Sequence, residues 1–235
     1  MIGIAASKKD LAALAMRRHF TKKVEWLEAE SIFAEDIDSL GYEALVIASR
    51  HKAESGRPTL TVHPNGNYGD AAFGGQPRTL QATAPQLMRN IFLELASCML
   101  EYDVSLEVTH HGPTGFRTSL VWAELGSTEK QWQDDEAAAF LVQCIERGIG
   151  RRDKAEVVIG FGGGHYAPKF SELEKGIAFG HMCPKYAADL LDEGLVRQMV
   201  EKSGGAKRAV LDDKGLNSAQ KQKVKACLTE LKVDY

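Results

Sequence analysis

Seven histidines occur in the 235-residue chain, and six of them, His51, His63, His110, His111, His165 and His181, stand at the ends of apolar runs or beside glycine or proline. Imidazole moves protons near neutral pH and binds zinc through a neutral ring nitrogen, so such a set points to a hydrolytic or a metal site without separating the two. A lone histidine is more often a hydrogen-bonded structural residue; six at strand ends are harder to explain that way. In open α/β sheets the ligand crevice lies beyond the carboxyl ends of the strands. Four segments end there: Ile47–His51, Leu60–Pro64, Glu107–Thr114 and Gly160–Tyr166. In the third, a period of two puts Glu107, Thr109 and His111 on one face and Val108 and His110 on the other, so one histidine faces the site. A strand ending at His110 would let the Gly112-Pro113 turn bring both rings inward.

Other chemistry is carried by fewer residues. Gly162-Gly163-Gly164 follows the apolar run Val157–Phe161 and allows close backbone approach, either as a structural turn or as a nest of N–H groups for an anion near His165 and Lys169. It fits GxGxxA loosely, but Pro168 is read as interrupting the helix a dinucleotide fold needs, and GxxxxGK[ST] is absent. There is no GxSxG elbow, and Cys183, two residues after His181 in an apparent loop, reads as coincidence, which favours activated water over a covalent intermediate. Glu107 and Glu124 lie on strand-like runs. Each either orients a histidine, serves as a base, or is an ordinary solvent-facing carboxylate.

The scaffold that must hold these residues reads as α/β, because short apolar runs alternate with amphipathic stretches. Strands are expected over 1–6, 23–28, 44–49, 59–63, 104–110, 120–125, 157–161, 176–179 and 208–211, and helices over 9–19, 85–102, 134–147, 186–202 and 218–232. Leu45–Ala48 and Val157–Gly160 lack polar alternation, the pattern of central strands buried on both faces. The length suits one domain or two intimately packed lobes. Gly, Pro and Asn crowd residues 55–78, an ordered loop of the functional kind, containing Phe73-Gly74-Gly75.

A composition of 44% hydrophobic and 26% charged residues excludes disorder, and 29 basic against 32 acidic residues excludes a polybasic coat. Residues 202–225 nevertheless carry seven basic side chains against two acidic ones. Lys207, Arg208, Lys214 and Lys221 in that stretch are candidate phosphate-backbone contacts, with a solvated helix face as the alternative. The four cysteines form no CxxC pair, no apolar run approaches the ~18 residues of a membrane span, and lysines follow the first apolar run in the reverse order of a secretory signal. A cytoplasmic protein is expected.

Six ordered motifs are together distinctive: Ser49-Arg50-His51; Leu60-Thr61-Val62-His63-Pro64 with Gly66-Asn67; Thr109-His110-His111-Gly112-Pro113-Thr114; Glu124–Glu129; Gly162–Pro168; and Phe179-Gly180-His181. With Lys214-Gly215-Leu216, they resemble the archaeal and plant-type D-aminoacyl-tRNA deacylases over residues 44–216. The resemblance implies hydrolysis of the ester between a D-amino acid and the tRNA 3′ end, zinc dependence, a monomer without an obligate protein partner, and a mainly parallel mixed sheet flanked by helices, similar to phosphorylases and peptidyl-tRNA hydrolases.

On this reading a histidine of the His110/His111 pair, or His51, activates water, with or without zinc, while glycine-loop N–H groups hold the oxyanion and His165 protonates the departing ribose oxygen. Glu107 and Thr114 complete the catalytic candidates. Arg50, His63, Gly162, Gly163, Gly164, Tyr166 and Lys169 are the substrate-binding candidates, and His51, His110, His111 and His181 the metal-ligand candidates. A zinc hydrolase of a small amide or ester and a noncatalytic tRNA- or nucleotide-binding module are the alternatives.

Overall fold

The computed structural model describes residues 1–235. Nine strands fall into two sheets. The larger contains β1 (Ile2–Ser7), β2 (Val24–Leu27), β3 (Ala44–Lys52), β4 (Thr59–His63), β5 (Asp103–Leu106) and β6 (Ser119–Ser127), in the order β2-β1-β3-β6-β4-β5. All its pairings are parallel except β4 with β6, which makes the sheet mixed and mainly parallel as expected. A second, all-parallel sheet has the order β8-β7-β9, from β7 (Val157–Phe161), β8 (Ala178–Cys183) and β9 (Arg208–Leu211). The helices are α1 (Leu11–Met16), α2 (Pro85–Leu95), α3 (Glu129–Trp132), α4 (Asp135–Gly150), α5 (Pro168–Leu173), α6 (Glu193–Lys202) and α7 (Ser218–Glu230). None is long and apolar enough to cross a membrane.

Strand β3 shows why its apolar run is unbroken. Ala44, Val46 and Ala48 enter the main core with α1, α2 and α4, whereas Leu45 and Ile47 pack on the opposite face with Leu120 and Trp122 of β6. Its period-two alternation therefore buries both faces. Helix α2 supplies Leu87, Met88, Ile91 and Leu95 to the main core, which also takes in Val158, Phe179 and Met182 of the smaller sheet. A separate core of Ile159, Phe161, Leu195, Met199, Val224 and Leu228 joins that sheet to α6 and α7.

Several boundaries differ from those expected. Helix α2 stops at Leu95, where the Ser97 hydroxyl donates to the Glu94 carbonyl and offers the backbone a turn, leaving Met99 exposed. Helix α6 starts only at Glu193 because Asp192 caps it, accepting from Leu195 N at 2.9 Å. Pro168 does not interrupt a helix; it opens α5 at the first-turn position, where proline's missing N–H has no cost. Strand β5 ends at Leu106, four residues early, and β8 runs on to Cys183, so that His181 and Cys183 belong to a buried strand rather than a loop.

Candidate active site

The histidines reach one place because the strands that carry them are neighbours. His51 is the penultimate residue of β3, beside Gly126 of β6, and His63 ends β4 beside Trp122 of β6. Past Leu106 the chain leaves the ladder, so strict alternation fails. A bridge between Glu107 and Tyr166, with Val108 N donating to the His165 carbonyl at 3.0 Å, lays the glycine-loop segment against it. A second bridge, Asn65 to His110, fixes the next turn. Val108 packs into the main core and Thr109 also points away, its hydroxyl donating to His181 and accepting from Met182 N, while His110 and His111 both turn inward with ring centres 4.4 Å apart. His111 has a φ of 45°, a left-handed conformation that costs energy outside glycine and is characteristic of functional positions.

Two carboxylates lie at the centre, both buried, contrary to the solvent-facing reading. Glu107 places its oxygens 3.1 Å from His51 Nδ1, 3.0 Å from His165 Nε2 and 3.5 Å from His110 Nε2. Glu124, on β6, lies 3.4 Å from His51 Nδ1 and 3.7 Å from His63 Nε2. Burial alone would raise Glu107, but the His165 hydrogen bond and the fields of His63 and His51 bring it down to about 2. Glu124 is likewise held well below the carboxylate range by His51 and His63. The same contacts overcome burial at His51 and His63 and raise both. His110 and His111 go the other way: burial first, then the charge on His63, depresses His110 and takes His111 to about 4. The two carboxylates thus favour the protonated form of His51 and His63, while burial favours the neutral form of His110 and His111 beside them.

Backbone carbonyls fix three tautomers. His63 Nδ1 donates to Pro64 O at 3.1 Å, His110 Nδ1 to Val108 O at 2.7 Å and His111 Nδ1 to Gly112 O at 2.6 Å. Since a carbonyl can only accept, the lone pair of each neutral ring is on Nε2. The ligand nitrogens of these three residues lie within 4.8 Å of one another, and His63 Nε2 is buried without a hydrogen-bond partner. His51, Glu107 and His165 form a second such group. His165 is tied to Glu107 through Nε2, which leaves Nδ1 free beside a cavity of about 1180 Å³. His51, His110, His111, Glu124, Arg50, Phe33, Phe73 and Trp132 also line that cavity. Tyr166 donates or accepts at His51 Nε2, 2.8 Å away, and the Trp132 indole N–H donates to the His51 carbonyl.

Other expected residues lie elsewhere. His181 is not in the cluster: its Nε2 donates to Gln81 O at 2.9 Å and its Nδ1 accepts from Thr109, so no lone pair remains for a metal, and burial takes it down to about 3. Thr114 accepts from Gln76 N at 2.8 Å and supports the 74–76 loop instead of facing the cavity. The glycine run packs on the 212–216 turn, where a Cβ on Gly215 would come within 2.2 Å of Gly163 N, and the Gly162 N–H is taken by Cys183 O. Lys169 donates to Leu211 O. In the basic segment, Arg208 is paired with Glu156 at 2.6 Å and Lys221 stands 3.6 Å from Asp213. Trp132 and Phe33 line the cavity without any sequence motif marking them.

A mixed α/β sheet that ends in a buried histidine–carboxylate cluster beneath an open cavity defines a protein built for proton transfer on a bound substrate. The family model for D-aminoacyl-tRNA deacylases matches residues 39–235, and this chain belongs to that family. A D-aminoacyl-tRNA deacylase of Methanosarcina mazei is 36% identical, with 98% of this chain and 90% of that protein covered. The Ignicoccus hospitalis deacylase is 37% identical over 94% and 91%, and that of Saccharolobus solfataricus 35% over 84% and 85%. The crystal structure of AF0625, a conserved protein of unknown function, superposes with a TM-score of 0.93 at 29% identity, covering 100% of this chain and 94% of that one.

Proposed function

We propose that this protein hydrolyses the ester joining a D-amino acid to the 3′ end of tRNA, releasing free tRNA and free D-amino acid, as a monomer in the cytoplasm. The observation that carries the reading is the Glu107–His165 pair at the edge of the cavity, in a chain of the deacylase family. An ionised carboxylate accepting from His165 Nε2 makes Nδ1 the basic nitrogen. One imidazole can then take a proton from water as it attacks the ester carbonyl and return it to the departing ribose oxygen. Glu107 and Glu124 favour the protonated form of His51, and in that form it adds positive potential where the oxyanion forms. The glycine loop is not needed in that role.

The donor set of His63, His110 and His111 fits zinc: three imidazoles whose Nδ1 is engaged by a backbone carbonyl, so that Nε2 of each is left for a metal, one of these being an orphaned buried nitrogen. Bound there, zinc would polarise the ester carbonyl and make water more acidic. Lys207, Lys214 and Lys221 are proposed to meet the tRNA backbone, whereas Arg208 is already neutralised by Glu156.

The test is to compare release of D-tyrosine from D-tyrosyl-tRNA with hydrolysis of D-tyrosine methyl ester. A kcat/KM several orders of magnitude higher on the tRNA ester is expected. Equal values on both would make this a small-ester hydrolase.

A further inference from the structure

Two aromatic rings at the mouth of the cavity are unexplained by the chemistry above. Phe33 is 53% exposed and Phe73 67% exposed, and both line the cavity that holds His110, His111 and His165. Single exposed apolar residues are common, but these come from loops forty residues apart in sequence that meet at one cavity, with Phe33 Cδ1 3.3 Å from a Cβ built on Gly74.

Their mounting is rigid and leads directly to the catalytic histidines. Phe73 O accepts from Gly112 N at 2.9 Å, so the residue after His111 holds Phe73 in place. The backbones touch there: a Cβ on Gly112 would lie 2.3 Å from Gly74 C. Gly74, at φ +81°, packs in turn on the other loop, where a Cβ would come 1.9 Å from Ile32 O and 3.3 Å from Phe33 Cδ1. Only glycine permits this stack of three chain segments, which brings the loops of Phe33 and Phe73 together at Gly74, against Gly112, the residue after His111.

We propose that Phe33 and Phe73 bind the unpaired terminal purine of the tRNA, stacking on its base while its aminoacylated ribose reaches the histidines. This deepens the hydrolase reading and rests on it. The cavity, about 1180 Å³, exceeds the roughly 300–1000 Å³ of ordinary small-ligand sites and has room for a nucleoside beyond the aminoacyl group. The ribose places the base one sugar away from the ester, and both rings line the same cavity as His110, His111 and His165. Stacking on an aromatic face is how unpaired bases are held without sequence-specific hydrogen bonds.

Steady-state release of D-tyrosine from D-tyrosyl-tRNA by Phe33→Ala, Phe73→Ala and the double variant tests this. Each ring lost should raise KM about 5- to 100-fold while kcat stays within about twofold, and Phe73→Trp should restore KM. A D-tyrosyl-tRNA whose terminal base has been excised should bind wild type and double variant equally, since the partner of the rings is gone. The clamp is overturned if the double variant keeps the wild-type KM on intact substrate, or if kcat falls with KM unchanged. Absence of release by the wild-type protein would instead refute the hydrolase reading.

Discussion

Exchanging Glu107 for Gln removes one charge and almost no volume from the middle of the cluster. The carboxylate is fully buried and lies 3.1 Å from His51, 3.0 Å from His165 and 3.5 Å from His110. Deleting one side of a buried ion pair costs about 3–5 kcal/mol, because the cation left behind has no counter-charge. At ~2–4 °C per kcal/mol for a chain of this size, Tm should drop by roughly 6–20 °C. Catalysis should suffer separately: an amide can offer its NH₂ to His165 Nε2 and stabilise the wrong tautomer. Loss of the orienting carboxylate in a Ser-His-Asp triad lowers kcat about 10⁴-fold, so a fall of ~10²–10⁴ is expected. The stability cost must also depend on pH. Glu107 is depressed from an ordinary 4.5 to about 2, so the folded state binds fewer protons between those values. Its contribution is complete above pH 4.5 and is lost as pH falls towards 2. Single-turnover release of D-tyrosine, with calorimetry from pH 3 to pH 7, reads both effects. A rate within fivefold of wild type, or a Tm gap that does not narrow in acid, would refute this role.

His111→Ala should lower zinc affinity at least about 100-fold in equilibrium dialysis, whereas His181→Gln, outside the cluster, should leave it unchanged. His181 is depressed from 6.5 to about 3, so the folded state binds fewer protons than the unfolded one across that range and stability falls with pH through it. The acid-dependent part amounts to about 2 kcal/mol at pH 5. The Tm of His181→Gln should therefore decline less than that of wild type between pH 7.5 and pH 5 in a thermal melt. Lys214→Ala and Lys221→Ala should each flatten the slope of log KM against log salt by about 0.7–0.9, while Arg208→Ala, which loses only its Glu156 pair, should leave the slope alone. Equal slopes in all three would place the tRNA elsewhere.

Much of the fold and part of the site were legible in the sequence, for reasons that can be stated residue by residue. Strands β4 and β7 match their expected bounds, since His63-Pro64 closes the alternating run from Thr59 and Gly162 follows the apolar run Val157–Phe161. His51 and His63 were found because they stand where such runs stop. Glu124 stands in the sequence as a residue that orients a histidine, serves as a base or faces solvent, and the choice is not legible there: its burial depends on β6 lying between β3 and β4, which sets it opposite Ser49 and Thr61, and register is a long-range property. His110 and His111 share a face because β5 gives way to isolated bridges at Glu107, a change that periodicity does not encode. His181 was misplaced for the opposite reason. Strand β8 continues through Gly180, where a Cβ would meet the Ser203 side chain at 2.1 Å, and carries His181 into the interior. Phe33 and Phe73 look like any exposed phenylalanine until the glycine contacts bring their loops together.

The central claim is that this histidine–carboxylate cluster cleaves D-aminoacyl esters of tRNA. Its most direct test is release of amino acid from D-tyrosyl-tRNA and L-tyrosyl-tRNA in parallel, before chelation, after it, and after zinc is restored. Rapid release from the D-ester alone, lost with the metal and recovered with zinc, is the predicted result. Equal release from both esters, or none from either, would contradict the account.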